Sequence, residues 1–131
     1  MIVGMSPRAE VHIGAQNYRA DITIREHALI ADEPAAVGGQ DLGPTAMEMV
    51  AGALGACTSV TLRMYAQRKG WDLQTVDVRV DIDYKAFTIR REIVLGGDLD
   101  AEQRARLMQI ADACPVHKLL ANAVPVTTTA A

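Results

Sequence analysis

The stretch Thr45-Ala-Met-Glu48-Met-Val-Ala-Gly-Ala-Leu-Gly-Ala-Cys57-Thr-Ser-Val-Thr-Leu-Arg63-Met-Tyr-Ala-Gln-Arg-Lys-Gly70 decides the fold of this chain. Thr45 and Glu48 stand at T-x-x-E spacing, the capping box that satisfies free backbone donors at a helix start. Pro44, just before, fits a chain that is only then turning into a helix. Met47, Val50, Ala51, Leu54, Cys57, Thr58 and Thr61 recur at three- and four-residue steps, which predicts a helix. Val60, Leu62 and Met64 spread apolar surface onto its other faces. Such a helix is buried on several sides, as a central helix or at a subunit interface. Arg63, Arg68 and Lys69 favour its last turns, and Gly70 ends it. The uncharged run Met49 to Leu62 is shorter than the roughly 18 residues of a membrane span, and it carries glycine, threonine and serine.

Upstream, Ala9, Val11 and Ile13 alternate with Glu10 and His12, the pattern of a half-buried strand. Gly14-Ala-Gln-Asn17 reads as a turn, and Ala20, Ile22 and Ile24 as the second strand of a hairpin. Ala28 to Ala31 is a third short strand, and the glycine-rich Pro34 to Pro44 is a loop. Downstream, Val76, Val78, Val80, Ile82 and Tyr84 form the clearest alternation. Phe87, Ile89, Ile93 and Leu95 supply the antiparallel partner, and Arg91 interrupts its apolar face. Gly96-Gly-Asp98 is expected to turn the chain. Asp100 and Gln103 make a second capping box. Leu107, Ile110, Ala111 and Cys114 share one helix face until Pro115 ends or kinks it. Val116 to Ala121 reads as a short helix with Pro115 at its first position, and Val124 to Thr129 as a closing strand. The order is that of an α+β protein, with one domain over 1–131.

Half of the 131 residues are hydrophobic but only 4 % are aromatic, so the core is aliphatic. A net charge of −3 excludes the basic stripe of a nucleic-acid surface. No polybasic patch suggests a membrane partner, and the N-terminus lacks the pattern of a signal peptide. The expectation is a soluble, cytoplasmic protein with neither nucleic acid nor membrane as partner. In that compartment paired cysteines are more often redox-active or metal-binding than structural.

The chain has two cysteines, Cys57 and Cys114. A thiol such as Cys57 in apolar surroundings is inert unless a cation stabilises its thiolate; otherwise it packs as a small hydrophobe. Cys114 stands where a short helix begins, where backbone donors lower a thiol pKa, so local physics favours it as the thiolate. Cys114-Pro-Val-His117 has C-x-x-H spacing, but His12 and His27 fall in hairpin or loop positions and four zinc ligands are not assembled. Glu48 is explained by its capping box. On a straight helix it points about 180° away from Cys57, nine residues on, so the two meet only through a kink or a second subunit. The methionines read as core or interface filler.

Gly38-Gly-Gln-Asp-Leu-Gly-Pro-Thr-Ala-Met-Glu48, the apolar run to Ala-Cys57-Thr, and Asp112-Ala-Cys114-Pro-Val-His117 together resemble the OsmC/Ohr family. Arg63 to Trp71 and Leu99 to Leu107 are similar to its OsmC-like subgroup. The resemblance implies an OsmC-like α+β fold, with antiparallel sheets wrapped around two central helices in an intertwined homodimer. It also implies a thiol-dependent peroxidase for organic hydroperoxides. Cys57 would be the attacking thiol, which becomes a sulfenic acid, and Cys114 the resolving thiol that forms a Cys57–Cys114 disulfide. No cofactor is implied beyond an external dithiol or lipoyl-type reductant, and no metal. Glu48 matches the acidic residue that orients a catalytic arginine. In the family that arginine lies between the first two strands, where Arg19 is the nearest candidate and Arg25 the next. A dimer of the same fold that binds or senses a small apolar or electrophilic molecule is the competing reading.

Overall fold

A computed structural model describes residues 6–131. The chain divides into two compact units, one up to Val50 and one from Ala51 to Ala131. The first holds a three-stranded antiparallel sheet of β1 (Glu10–Ile13), β2 (Ala20–Ile24) and β3 (His27–Ala31), in the order β1-β2-β3. Ile13 pairs with Ala20 across the first hairpin and Ile24 with His27 across the second. All four β1 residues are exposed, although their alternation predicts a half-buried strand. β1 is an edge strand of its sheet, and Val11 and Ile13 are exposed along with the polar residues between them.

The loop after β3 is organised by one carboxylate. Asp32 is 3 % exposed and accepts from four backbone N–H groups: Tyr18 at 3.0 Å, Glu33 at 2.7 Å, Gln40 at 3.3 Å and Leu42 at 3.2 Å. Burial works to raise its pKa, but these four donors outweigh it and hold the carboxyl below its ordinary value. A short 3₁₀ turn over Ala35–Val37 lies within the loop.

The α1 helix (Ala46–Lys69) opens with the expected capping box. Thr45 N donates to Glu48 Oε1 at 2.8 Å, and Glu48 N to Thr45 Oγ1 at 3.1 Å. It closes on Gly70 at φ +68°, with Gly70 N bonded to the Gln67 carbonyl and Trp71 N to that of Ala66. This left-handed residue and paired return bonds satisfy the last carbonyls of the helix.

In the second unit β4 (Asp72–Asp83) and β5 (Thr88–Asp98) form a long antiparallel hairpin. Val76, Val78, Val80 and Ile82 face Leu95, Ile93, Arg91 and Ile89 respectively. Phe87 is not in the strand as its pattern suggests. It occupies the connecting turn at φ +53° and is 88 % exposed, beside an Asp83 carboxylate that accepts from the Lys85 and Ala86 backbone. Nor do Gly96 and Gly97 turn the chain. They continue β5 against Thr75 and Leu73, where an irregularity between Leu73 and Thr75 brings the backbones so close that a Cβ on Gly97 would overlap the Asp72 carbonyl. Glycine serves that approach rather than a reversal.

Asp100 caps α2 (Ala101–Ile110) in the second capping box, and Arg104 from that helix donates to the carbonyls of Leu95, Gly97 and Leu99. Leu62 and Ala66 from α1, Leu73 from β4, Leu99, Leu107 and Ala111 form the buried core, with Tyr65, Trp71, Val76 and Ile93 packed against it. A 3₁₀ turn over Ala111–Ala113 leads to Cys114 and then α3 (Pro115–Ala121). The expected closing strand over 124–129 does not form. Those residues are exposed and pair with no strand among the described residues, Pro125 lacks a ladder donor, and Val126 is 89 % exposed. Among the described residues no helix is long and apolar enough to cross a membrane.

Candidate active site

Cys57 lies in the middle of α1 and Cys114 at the cap of α3. The fold brings their side chains close enough for each thiol to influence the other's ionisation. Cys114 is completely buried, whereas Cys57 is partly exposed, and both are free thiols. Pro115 explains the placement of Cys114. It sets a helical φ at the first position of α3 and keeps the residue before it extended, at ψ 128°. The Cys114 Sγ therefore faces the open N-terminus of α3, where it accepts from His117 N at 3.5 Å.

The two sulfurs are electrostatically unlike. Burial pushes the Cys57 thiol up, and its contact with Cys114 pushes it further. The Val116 N–H and the Thr61 hydroxyl only partly oppose this. Burial also acts to raise Cys114, but the neighbouring Cys57 side chain, the backbone N–H groups of His117 and Val116 and the nearby Thr58 hydroxyl oppose it. They bring its pKa below the ordinary thiol value.

Around the pair stands a cation that the strand pattern marks only as an interruption. Arg91 occupies the apolar face of β5 opposite Val80, and its side chain is 12 % exposed. Its Nη1 donates to Thr58 Oγ1 at 3.0 Å and to the Ala111 carbonyl at 3.4 Å, and its Nη2 to Asp112 Oδ1 at 3.0 Å. Thr58 is fully buried and follows Cys57, while Ala111 and Asp112 lie in the turn leading to Cys114. One guanidinium thus ties the neighbourhoods of both cysteines. His117 Nδ1 is 3.8 Å from the same Asp112 oxygen. A groove of about 450 Å³ opens beside them, lined by Leu54, Phe87, Ile89, Arg91, His117 and Leu120 among others.

The other two expected site residues belong to the first unit. Glu48 closes the capping box with Thr45. Arg19 Nε lies 3.1 Å from Asp21 Oδ1, in a pair whose side chains are 39 % and 49 % exposed. Arg25 is more exposed still, next to Glu26 and His27. Arg91, Thr58 and Asp112 were not expected at the site. The signals for the first and last were present: a charge inside an apolar alternation, and an acid two residues before the Cys-Pro step.

Solved structures with the same fold include the OsmC-like protein of Mycoplasma pneumoniae, 12 % identical with a TM-score of 0.72, covering 89 % of this chain and 88 % of that one. An organic hydroperoxide resistance protein, OsmC, of Legionella pneumophila is 18 % identical with a TM-score of 0.63, covering 88 % and 89 %. An organic hydroperoxide resistance protein of Elizabethkingia anophelis, with thiocyanate bound, is 17 % identical with a TM-score of 0.61, covering 91 % and 90 %. At these identities the likeness is one of fold. No curated protein matches the sequence significantly. The sequence model of OsmC-like proteins matches residues 38–129, a span that contains both cysteines and the strands, turn and helices that bring them together, and the chain belongs to that family.

Proposed function

We propose that this protein is a thiol-dependent peroxidase that reduces organic hydroperoxides in defence against oxidative stress. The observation that carries this reading is the contact between a partly exposed Cys57 and a fully buried Cys114, both reduced. The Cys57 thiol gives its proton to water, and the thiolate sulfur attacks the terminal peroxide oxygen. The S–O bond forms as the O–O bond breaks, and the alkoxide leaves and takes a proton from water. Cys114 then attacks the Cys57 sulfenic acid, the S–S bond forms, and the oxygen departs as water. An external dithiol of lipoyl type returns the disulfide to two thiols by exchange.

In this reading Arg19 supplies the cation near Cys57 and Glu48 orients it, the two meeting the thiol within a homodimer. Its present bond to Asp21 is an exposed ion pair, a kind that holds less than about 1 kcal/mol and does not prevent such a move. The apolar side chains that α1 leaves exposed, Val60 and Met64, suit a surface covered by a second copy. So does the groove of about 350 Å³ between Gly52, Gly55 and Ala56 of α1 and the valines of β4. The working compartment is the cytoplasm, where dithiol reductants keep such a cycle turning.

The test is mass spectrometry of the fully reduced protein after one equivalent of cumene hydroperoxide. A loss of two hydrogens, located to a Cys57–Cys114 disulfide and absent in Cys57→Ser, is expected. Unchanged thiols would overturn the proposal. They would favour instead a dimer that binds a small apolar or electrophilic molecule, a reading that the groove lined by Leu54, Ile89 and Arg91 supports.

A further inference from the structure

We infer that Tyr65 and the three cations gathered on it, Arg68, Lys69 and Arg106, form a binding site for a diphosphate group, apart from the thiol pair. The site lies about two turns beyond Cys57 along α1, and the inference does not rest on the peroxidase reading.

Two elements build it. Tyr65, Arg68 and Lys69 stand at three- and four-residue spacing, so they share one face of the last turns of α1. Arg106 reaches the same ring from α2. The charged ends of Arg68, Lys69 and Arg106 lie 5.9, 5.6 and 5.7 Å from the ring centre. Trp71 meets that ring at 70° with centres 5.6 Å apart, and Tyr65 packs against the core, so the platform is held in place. Arg106 is fixed at two points. Its Nε donates to the Tyr65 hydroxyl at 3.1 Å and its Nη1 to Gln109 Oε1 at 3.0 Å, which leaves Nη2 open. The Tyr65 oxygen accepts in the first of these bonds, so its own proton remains to donate. No protein acceptor takes that proton among the described residues.

What the cluster lacks is an anion. The chain carries a net charge of −3, yet among the described residues no carboxylate pairs with Arg68, Lys69 or Arg106. The dipole at the end of α1 and the face of the Tyr65 ring account for Arg68 and Lys69. They do not account for a third cation brought in from α2 and fastened to the phenol. The Arg106 hydrogen bond, with the charges of Arg106, Lys69 and Arg68, draws that phenol below its ordinary pKa. A bound anion relieves the mutual repulsion of such a group. Guanidinium groups take phosphoryl oxygens in a paired fork, and an ammonium takes them as a point charge. One phosphoryl group carries about −1.5 to −2 at neutral pH, so two linked groups come nearer to three positive charges. Free pyrophosphate and the diphosphate of a larger molecule share this chemistry.

Trp71 is the only tryptophan in the chain, and its contact with Tyr65 makes its fluorescence a local readout. Inorganic pyrophosphate and adenosine diphosphate are titrated separately into the reduced protein at constant ionic strength. A saturable fluorescence change is expected with pyrophosphate. Equal affinity for the two assigns the site to the diphosphate alone, and tighter adenosine diphosphate assigns it to a larger molecule that carries one. Arg106→Met and Arg68→Met should each weaken binding about tenfold, the loss of a hydrogen bond to a charged group. Tyr65→Phe keeps the ring and should weaken binding by a smaller factor. Arg79→Met removes a cation already paired with Glu92 on the hairpin, and should leave binding unchanged. Arg68 is exposed, so its variant tests the site even if Arg106→Met fails to fold. No saturable change with either ligand would overturn the inference. So would binding that Arg68→Met leaves unaltered, or an equal loss in Arg79→Met, which is general attraction of an anion to positive charge.

Discussion

Arg91 and Asp112 form an ion pair at 3.0 Å between unequal partners, the arginine side chain 12 % exposed and the aspartate 70 %. The carboxylate faces solvent at low cost, while the guanidinium, set between Ile89 and Ile93 on its strand face, depends on it and on two neutral oxygens for its partners. Asp112→Ala should therefore destabilise the fold by about 1–2 kcal/mol, more than an ordinary surface pair contributes. Urea unfolding measures this. An unchanged midpoint would mean that Arg91 finds another anion or water at no cost.

Two glycines should respond in opposite directions to alanine. Gly97 has φ +137°, and its added methyl would overlap the Asp72 carbonyl, so Gly97→Ala should cost about 1–3 kcal/mol or more. Gly52 lies inside α1 with nothing within 4 Å of the same position. Gly52→Ala should stabilise by about 0.5–1 kcal/mol through helix propensity. The pair of unfolding midpoints checks both, and equal shifts of one sign would contradict the geometry.

Asp32 links stability to acid. Its folded carboxyl sits below the ordinary value of 3.8. The stabilisation it gives is therefore fully present above the unfolded pKa and is lost as pH falls through the lower folded value. Asp32→Asn should lower stability at neutral pH, because an amide presents one acceptor where two carboxylate oxygens receive four N–H groups. It should also flatten the decline of stability between about pH 4 and pH 2. Urea midpoints across that range decide it, and parallel declines in the two proteins would show that Asp32 is not the group responsible.

Local chemistry made much of this fold readable. Both capping boxes, the Gly70 stop, the alternation of β4 and the Cys114-Pro115 break are each set within a few residues, and each is found where expected. Local pattern and structure part where a long-range partner decides. Gly96 and Gly97 look like a turn until the approach of the Asp72 backbone is seen, and 124–129 looks like a strand although no neighbour pairs with it. The site divides in the same way. Cys57 and Cys114 are legible because each stands in a distinctive local setting, and the fold brings them together. Arg91 was visible only as a fault in a pattern, since nothing near it in sequence says that it reaches across to α1 and to the turn before α3. The roles of Arg19 and Glu48 come from resemblance alone, and both residues already have local partners in the chain.

The burial difference between the two sulfurs dictates a direction of travel. In the proposed cycle, an incoming dithiol would reach only the Cys57 end of the disulfide, because Cys114 presents no surface. The first sulfur released would then be Cys114, which faces the His117 N–H. A captured mixed disulfide with the reductant should accordingly be found on Cys57, and regeneration should begin at the same sulfur where oxidation began.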